Sequence, residues 1–185
     1  MKRTALFLTL AIGVLSAQQA VAQSDIGFRS VGASLGYVSP ENLDGTLGLG
    51  VFADLGQITP RIALEPHIEF WSQSQATFGI NASLRDIAVG ARGKYFFEAA
   101  NPKLRPFAGA GLGLHFLNTE ATVAIPGLPT INTEESTTNL GLDLGAGIET
   151  ILGPKVNFHG ELWYGIVSDV NQFTLRLGLS RKLGI

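Results

Sequence analysis

The sequence predicts an all-β fold: an eight-stranded antiparallel up-and-down transmembrane β-barrel, preceded by a cleaved signal peptide. Three observations carry that expectation. Apolar side chains alternate with small or polar ones over eight successive segments, which is the repeat of a strand, and no sustained stripe of helical period interrupts them. The second face of those segments is mostly Gly, Ala and Ser with isolated charges, and only 15% of the chain is charged, too little for a water-facing surface. After the leader there is no apolar run near the roughly 20 residues that a membrane helix needs, so the apolar content must meet lipid or a core through strands.

The leader comes first. Lys2 and Arg3 precede the apolar run TALFLTLAIGVLS, and Ala20-Val21-Ala22 reads as a small-x-small cleavage site. Residues 1–22 are therefore expected to be a signal peptide and residues 23–185 a single barrel domain.

The strands follow in order. Val31, Ala33, Leu35 and Tyr37 form the apolar row of the first. The second sets Leu47, Leu49, Val51, Ala53 and Leu55 against Gly48, Gly50, Phe52 and Asp54, and the third sets Ile62, Leu64, Pro66, Ile68 and Phe70 against Ala63, Glu65, His67 and Glu69. In the fourth, Ile87, Val89, Ala91, Gly93, Tyr95 and Phe97 are backed by Asp86, Ala88, Gly90, Arg92 and Lys94. The fifth turns Ala108, Ala110, Leu112, Leu114 and Phe116 away from Gly109, Gly111, Gly113 and His115. Leu140, Leu142, Leu144, Ala146 and Ile148 oppose Gly141, Asp143, Gly145, Gly147 and Glu149 in the sixth. The seventh sets Val156, Phe158, Gly160, Leu162 and Tyr164 against Asn157, His159, Glu161 and Trp163, and Phe173, Leu175, Leu177 and Leu179 close the series over Thr174, Arg176, Gly178 and Ser180. Strands of about 9–11 residues are long enough to span a bilayer at a typical tilt.

The connections alternate too. Residues 40–45, 74–79, the long stretch 118–138 and 168–171 follow odd strands, whereas 57–60, 99–104 and 151–155 follow even ones and each carry a Pro suited to a reversal. Aromatics including Tyr37, Phe70, Tyr95, Phe97, Phe107, Phe116, Phe158, Tyr164 and Phe173 fall mostly toward strand ends, where an interfacial girdle sits.

Charge placement decides which way the rows face. Asp54, Glu65, Glu69, Asp86, Arg92, Lys94, Asp143, Glu149, Glu161 and Arg176 all share the non-apolar row. Slipping every strand by one residue exposes these ten charges to lipid. At roughly 2 kcal/mol each, that is about 20 kcal/mol, beyond the whole stability of an ordinary domain. Backbone groups in hydrocarbon need partners, so strands in a membrane must close into a ring.

Signal peptide, strand number, alternation and turn asymmetry together resemble the small eight-stranded outer-membrane barrels of the OmpA/OmpX type. The resemblance implies the outer membrane of a Gram-negative-type bacterium, both termini in the periplasm, short periplasmic turns, and contact with membrane lipid and the assembly machinery. Chains of that type usually finish with an aromatic residue, whereas this one finishes Ser180-Arg181-Lys182-Leu183-Gly184-Ile185.

Composition excludes several other functions. A net charge of −2 without a basic cluster gives no basis for nucleic-acid binding, and the absence of Cys removes disulfides and Cys-based metal sites. No cofactor or metal is expected. His67, His115 and His159 fall at three different heights with no paired Asp-His motif, so the chain is not expected to be an enzyme, and the histidines are assigned to an interior polar network. That network joins His67 to seven acidic residues (Asp54, Glu65, Glu69, Asp86, Asp143, Glu149, Glu161) and three basic ones (Arg92, Lys94, Arg176), filling a narrow lumen as a plug. In the long stretch 118–138, Val123, Ile125, Leu128 and Ile131 are candidates for contact with an extracellular or host surface partner, on strands that continue past the membrane as a hairpin. The expected function is a structural or surface-interaction role. The alternatives are a narrow pore for ions or small apolar molecules and, third, a soluble secreted ligand-binding barrel.

Overall fold

In a computed structural model, the described residues are 25–77, 80–123, 130–168 and 170–184. Eight strands follow one another: β1 (Asp25–Pro40), β2 (Thr46–Thr59), β3 (Ile62–Thr77), β4 (Ile80–Phe96), β5 (Leu104–Val123), β6 (Ile131–Ile151), β7 (Val156–Val167) and β8 (Gln172–Lys182). Each pairs antiparallel with the next and β8 pairs back with β1, giving a closed barrel in simple sequence order. The end holding Asp25 and Lys182 is called the lower rim below, and the other end the upper rim.

The rows face as their chemistry requires. Along β8, Phe173, Leu175, Leu177 and Leu179 point outward and are about half exposed, while Thr174, Arg176, Gly178 and Ser180 between them are buried inside. The same alternation runs around the ring, so the outer surface is a belt of Leu, Val, Ile and aromatic side chains. The eleven residues of β8, at roughly 3.3 Å each and a tilt of about 45°, rise about 26 Å, matching the roughly 25 Å apolar band of such barrels.

Inside, large side chains lie over glycines of neighbouring strands. Trp163 faces Gly145 across the β6–β7 ladder, with Gly109 one strand further on the same rung. A Cβ at Gly145 would stand 2.4 Å from the indole and one at Gly109 2.8 Å from it, so a methyl group at either place displaces the ring. Phe107 over Gly147, Phe52 over Gly32 and His67 beside Gly90 repeat the arrangement. The high glycine content is thus the complement of a few bulky interior groups.

One irregularity is built in. Between Phe52 and Gln57 the β2–β3 register shifts, Gly56 has φ of 84°, and its N–H donates to Asp54 Oδ1 at 2.8 Å. Pro66 of β3 lies opposite this gap while its ladder with β4 runs on unbroken, so the missing N–H falls on the side where pairing has lapsed.

Three expectations need correction. The connection at 74–79 is mostly strand, paired up to Thr77 with Ile80; in the stretch 118–138, where a hairpin past the membrane is expected, the β5–β6 ladder runs up to Val123 with Ile131. Strands run from 11 to 21 residues, because β3 to β6 continue past the apolar belt on polar side chains. Phe107 is not a girdle residue: its parity with Gly109 turns it inward, where it is 2% exposed. Residues 1–22, with the leader, and Ile125 and Leu128 lie outside the described residues.

Candidate functional site: the charged lumen

The centre of the barrel is a network of ion pairs held by β3, β4, β6, β7 and β8. Arg92 of β4 reaches in two directions. Its Nη1 donates to Glu69 Oε1 at 2.5 Å, and its Nε donates to Asp143 Oδ2 at 2.9 Å. Asp143 lies two strands away, with Gly111 between them on the same rung, where a Cβ would stand 2.6 Å from Arg92 Cγ. Gly111 therefore opens the path for this bond. Arg176 of β8 bonds Glu69 and also Glu161, with Nε 3.1 Å from Glu161 Oε2. Lys94 Nζ bonds Glu65 and donates to Glu161 Oε1 at 2.7 Å. Glu161 is completed by the Trp163 indole N–H at 2.8 Å, and the Arg92 guanidinium lies 4.3 Å over the same ring. All seven charged groups except Glu69 are at most 4% exposed, so each depends on its partners rather than on water.

Toward the lower rim, Glu149 accepts from Asn157 at 2.8 Å and from Arg105 at 3.3 Å, and Asp54 is half-buried on its own bulge. Toward the upper rim, His115 Nδ1 meets Asp86 Oδ2 at 2.8 Å. His67 is buried with Nε2 3.8 Å from Asp143, and His159 Nε2 meets Ser180 Oγ at 2.8 Å. Pairing across strands brings Asp86 to His115 and Ser180 to His159, partners that the linear sequence does not display. Arg105 is a charged partner that sequence reasoning missed, since it falls between the turn at 99–104 and the alternating run from Ala108. Asn157 and Trp163 were legible as inner-row residues, but not as hydrogen-bond donors to Glu149 and Glu161.

Among the described residues, one trio brings metal-ligating atoms together: Glu65, His159 and Glu161, all within 4.8 Å of one another. Lys94 already stands between the two carboxylates and supplies the positive charge there. Ser180, His159 and Glu161 also lie in line, but the 3.8 Å from His159 Nδ1 to Glu161 Oε1 is too long for a hydrogen bond, and Glu161 is engaged by Lys94, Arg176 and Trp163.

Val123 and Ile131 face each other as the last described pair of the hairpin. Residues 131–138 of β6 are exposed and pair with β5 alone, because the ladder to β7 starts at Gly141.

A closed, eight-stranded ring with a lipid-compatible outside and a charged inside defines a membrane-spanning β-barrel. The chain belongs to the outer membrane protein beta-barrel domain family, whose match spans residues 7–182. It resides in the outer membrane of Gram-negative bacteria. The fold is similar to Neisserial surface protein A (18% identity, TM-score 0.63, covering 83% of this chain and 96% of that one). It is similar also to a major outer membrane protein of Thermus thermophilus (14% identity, TM-score 0.63, 84% and 98%) and to Ail, the attachment invasion locus protein of Yersinia pestis (15% identity, TM-score 0.54, 84% and 97%). No curated protein matches the sequence.

Proposed function

We propose that this chain is a surface-interaction protein of the outer membrane whose lumen is a plug, and that it works through the sheet that β3 to β6 raise above the upper rim. The observation that carries the reading is the β6 edge at residues 131–138, whose ladder partner is on one side only. Its sequence INTEESTT carries Glu134 and Glu135 but no Lys or Pro of the kind that commonly blunts an open edge, so an extended segment of an extracellular or host partner can add to it by main-chain hydrogen bonds. Val123 and Ile131 supply apolar contacts near the tip, and Ile125 and Leu128 belong to the same proposed contact. The upper rim faces outward and the lower rim the periplasm, with residues 1–22 removed during export and the barrel inserted by the assembly machinery.

The plug reading is supported by the multiple partnering of Arg92, Lys94 and Arg176, which ties five strands together across the lumen. A non-enzymatic role is supported by the engagement of Glu161 and the burial of Ser180, 2% exposed, which leave no room for a substrate at the one Ser-His contact among the described residues. Deleting residues 121–134 tests the function: the barrel should still insert and shift its gel mobility on heating, while binding to cells or matrix is lost. Unchanged binding would remove the proposal.

A further inference from the structure

The outer surface is not uniformly greasy. A groove of about 840 Å³ crosses it from Val156 on β7, over β8, β1, β2 and β3, to Val89 on β4. Its floor is low because Ala33, Ala53 and Pro66 stand on the outward row, where neighbouring positions carry Leu35, Leu49 and Phe70. At its lower end is Arg181. This residue continues the outward row of Leu175, Leu177 and Leu179, pairs across the ladders with both Val31 and Val156, and is exposed. Among the described residues, Arg181 has no ion pair or side-chain hydrogen bond.

We propose that this groove holds one phospholipid with an anionic headgroup, its phosphate on Arg181 and one acyl chain along the short side chains. The dimensions fit. From β7 to β4 are five steps between strands. At roughly 4.8 Å each they make about 24 Å, and with strands tilted about 45° the path climbs about 17 Å, close to one leaflet's share of a roughly 30 Å hydrocarbon core. The charge fits as well: a guanidinium at the end of an apolar row sits at headgroup depth, where it meets phosphate. The inference rests on the membrane-spanning barrel and is independent of the β6 edge.

The test uses the full barrel refolded in dodecylmaltoside, with native mass spectrometry reading the lipid retained. Dimyristoylphosphatidylglycerol should be kept at one per barrel, about fivefold more tightly than phosphatidylcholine with the same chains, the effect of about one well-placed cation. Arg181→Gln should abolish that preference, and Ala33→Leu with Ala53→Leu should lower retention of both lipids, each variant remaining heat-modifiable. Inorganic phosphate should not displace the lipid. Equal retention of the two headgroups, an unchanged preference in Arg181→Gln, undiminished retention with the groove filled, or displacement by phosphate alone would each overturn the proposal.

Discussion

Arg92 and Arg176 look interchangeable in the sequence, yet the structure makes them unequal. Replacing Arg176 by Met leaves Glu69 with Arg92 and leaves Glu161 with Lys94, so every carboxylate keeps a cation. The loss is then one set of charge-assisted hydrogen bonds, about 1.5–3 kcal/mol. Replacing Arg92 by Met leaves Glu69 with Arg176, but among the described residues Asp143 keeps only His67 at 3.8 Å, and Asp143 is 4% exposed. An uncompensated buried carboxylate costs about 3–5 kcal/mol. Arg92→Met should therefore be the worse change by roughly 2 kcal/mol, a factor of about 30 in the folded-to-unfolded ratio. Adding Asp143→Leu to Arg92→Met should recover at least about 1 kcal/mol, because the orphaned charge is removed with its partner. The assay is urea unfolding of barrels inserted in phospholipid vesicles, followed by the fluorescence of Trp71 and Trp163, both inside the lumen. Equal losses for the two arginine variants, or strict additivity in the Arg92–Asp143 pair, would refute the pairing scheme.

Other consequences can be checked in the same system. Gly109→Ala places a methyl 2.8 Å from the Trp163 ring and 3.0 Å from the Gly93 carbonyl, so it should cost about 1–3 kcal/mol by the urea midpoint. Leu177→Lys, at the sixth of the eleven β8 residues, should cost about 2–4 kcal/mol in vesicles. Planar-bilayer recording of the wild-type barrel should give no steady conductance if the ion pairs seal the lumen; a stable open channel would instead support the pore reading.

Much of the architecture is legible because two codes coincide in each strand. The period-two rows set which side chains share a face, and the placement of every mid-strand charge opposite the Leu-rich row says which face meets lipid. That Glu65 and Glu69 lie near Arg92 and Lys94 can be anticipated from neighbouring strands, but not which pairs with which. The ladder sets Glu65 opposite Arg92, whereas Glu65 bonds Lys94 and Glu69 bonds Arg92. The bond from Arg92 to Asp143 cannot be anticipated either, since it depends on Gly111 and on the register of two ladders at once. His115 with Asp86 and His159 with Ser180 are hidden for the same reason. The upper extensions of β5 and β6 are only partly readable: in TEAT and NTEEST both rows are polar and small, so alternation has no contrast once the strand leaves the membrane. Phe107 is misplaced whenever position near a strand end is weighed above parity.

The central claim is that the Leu-rich rows face lipid and the charged rows face the lumen. The chain has no native Cys, so single cysteines at residues 174 to 180 of β8 can carry a spin label without background. Collision with oxygen dissolved in the bilayer should be high at Leu175, Leu177 and Leu179 and low at Thr174, Arg176, Gly178 and Ser180. The opposite phase, or no alternation in vesicle-bound protein, would contradict the account.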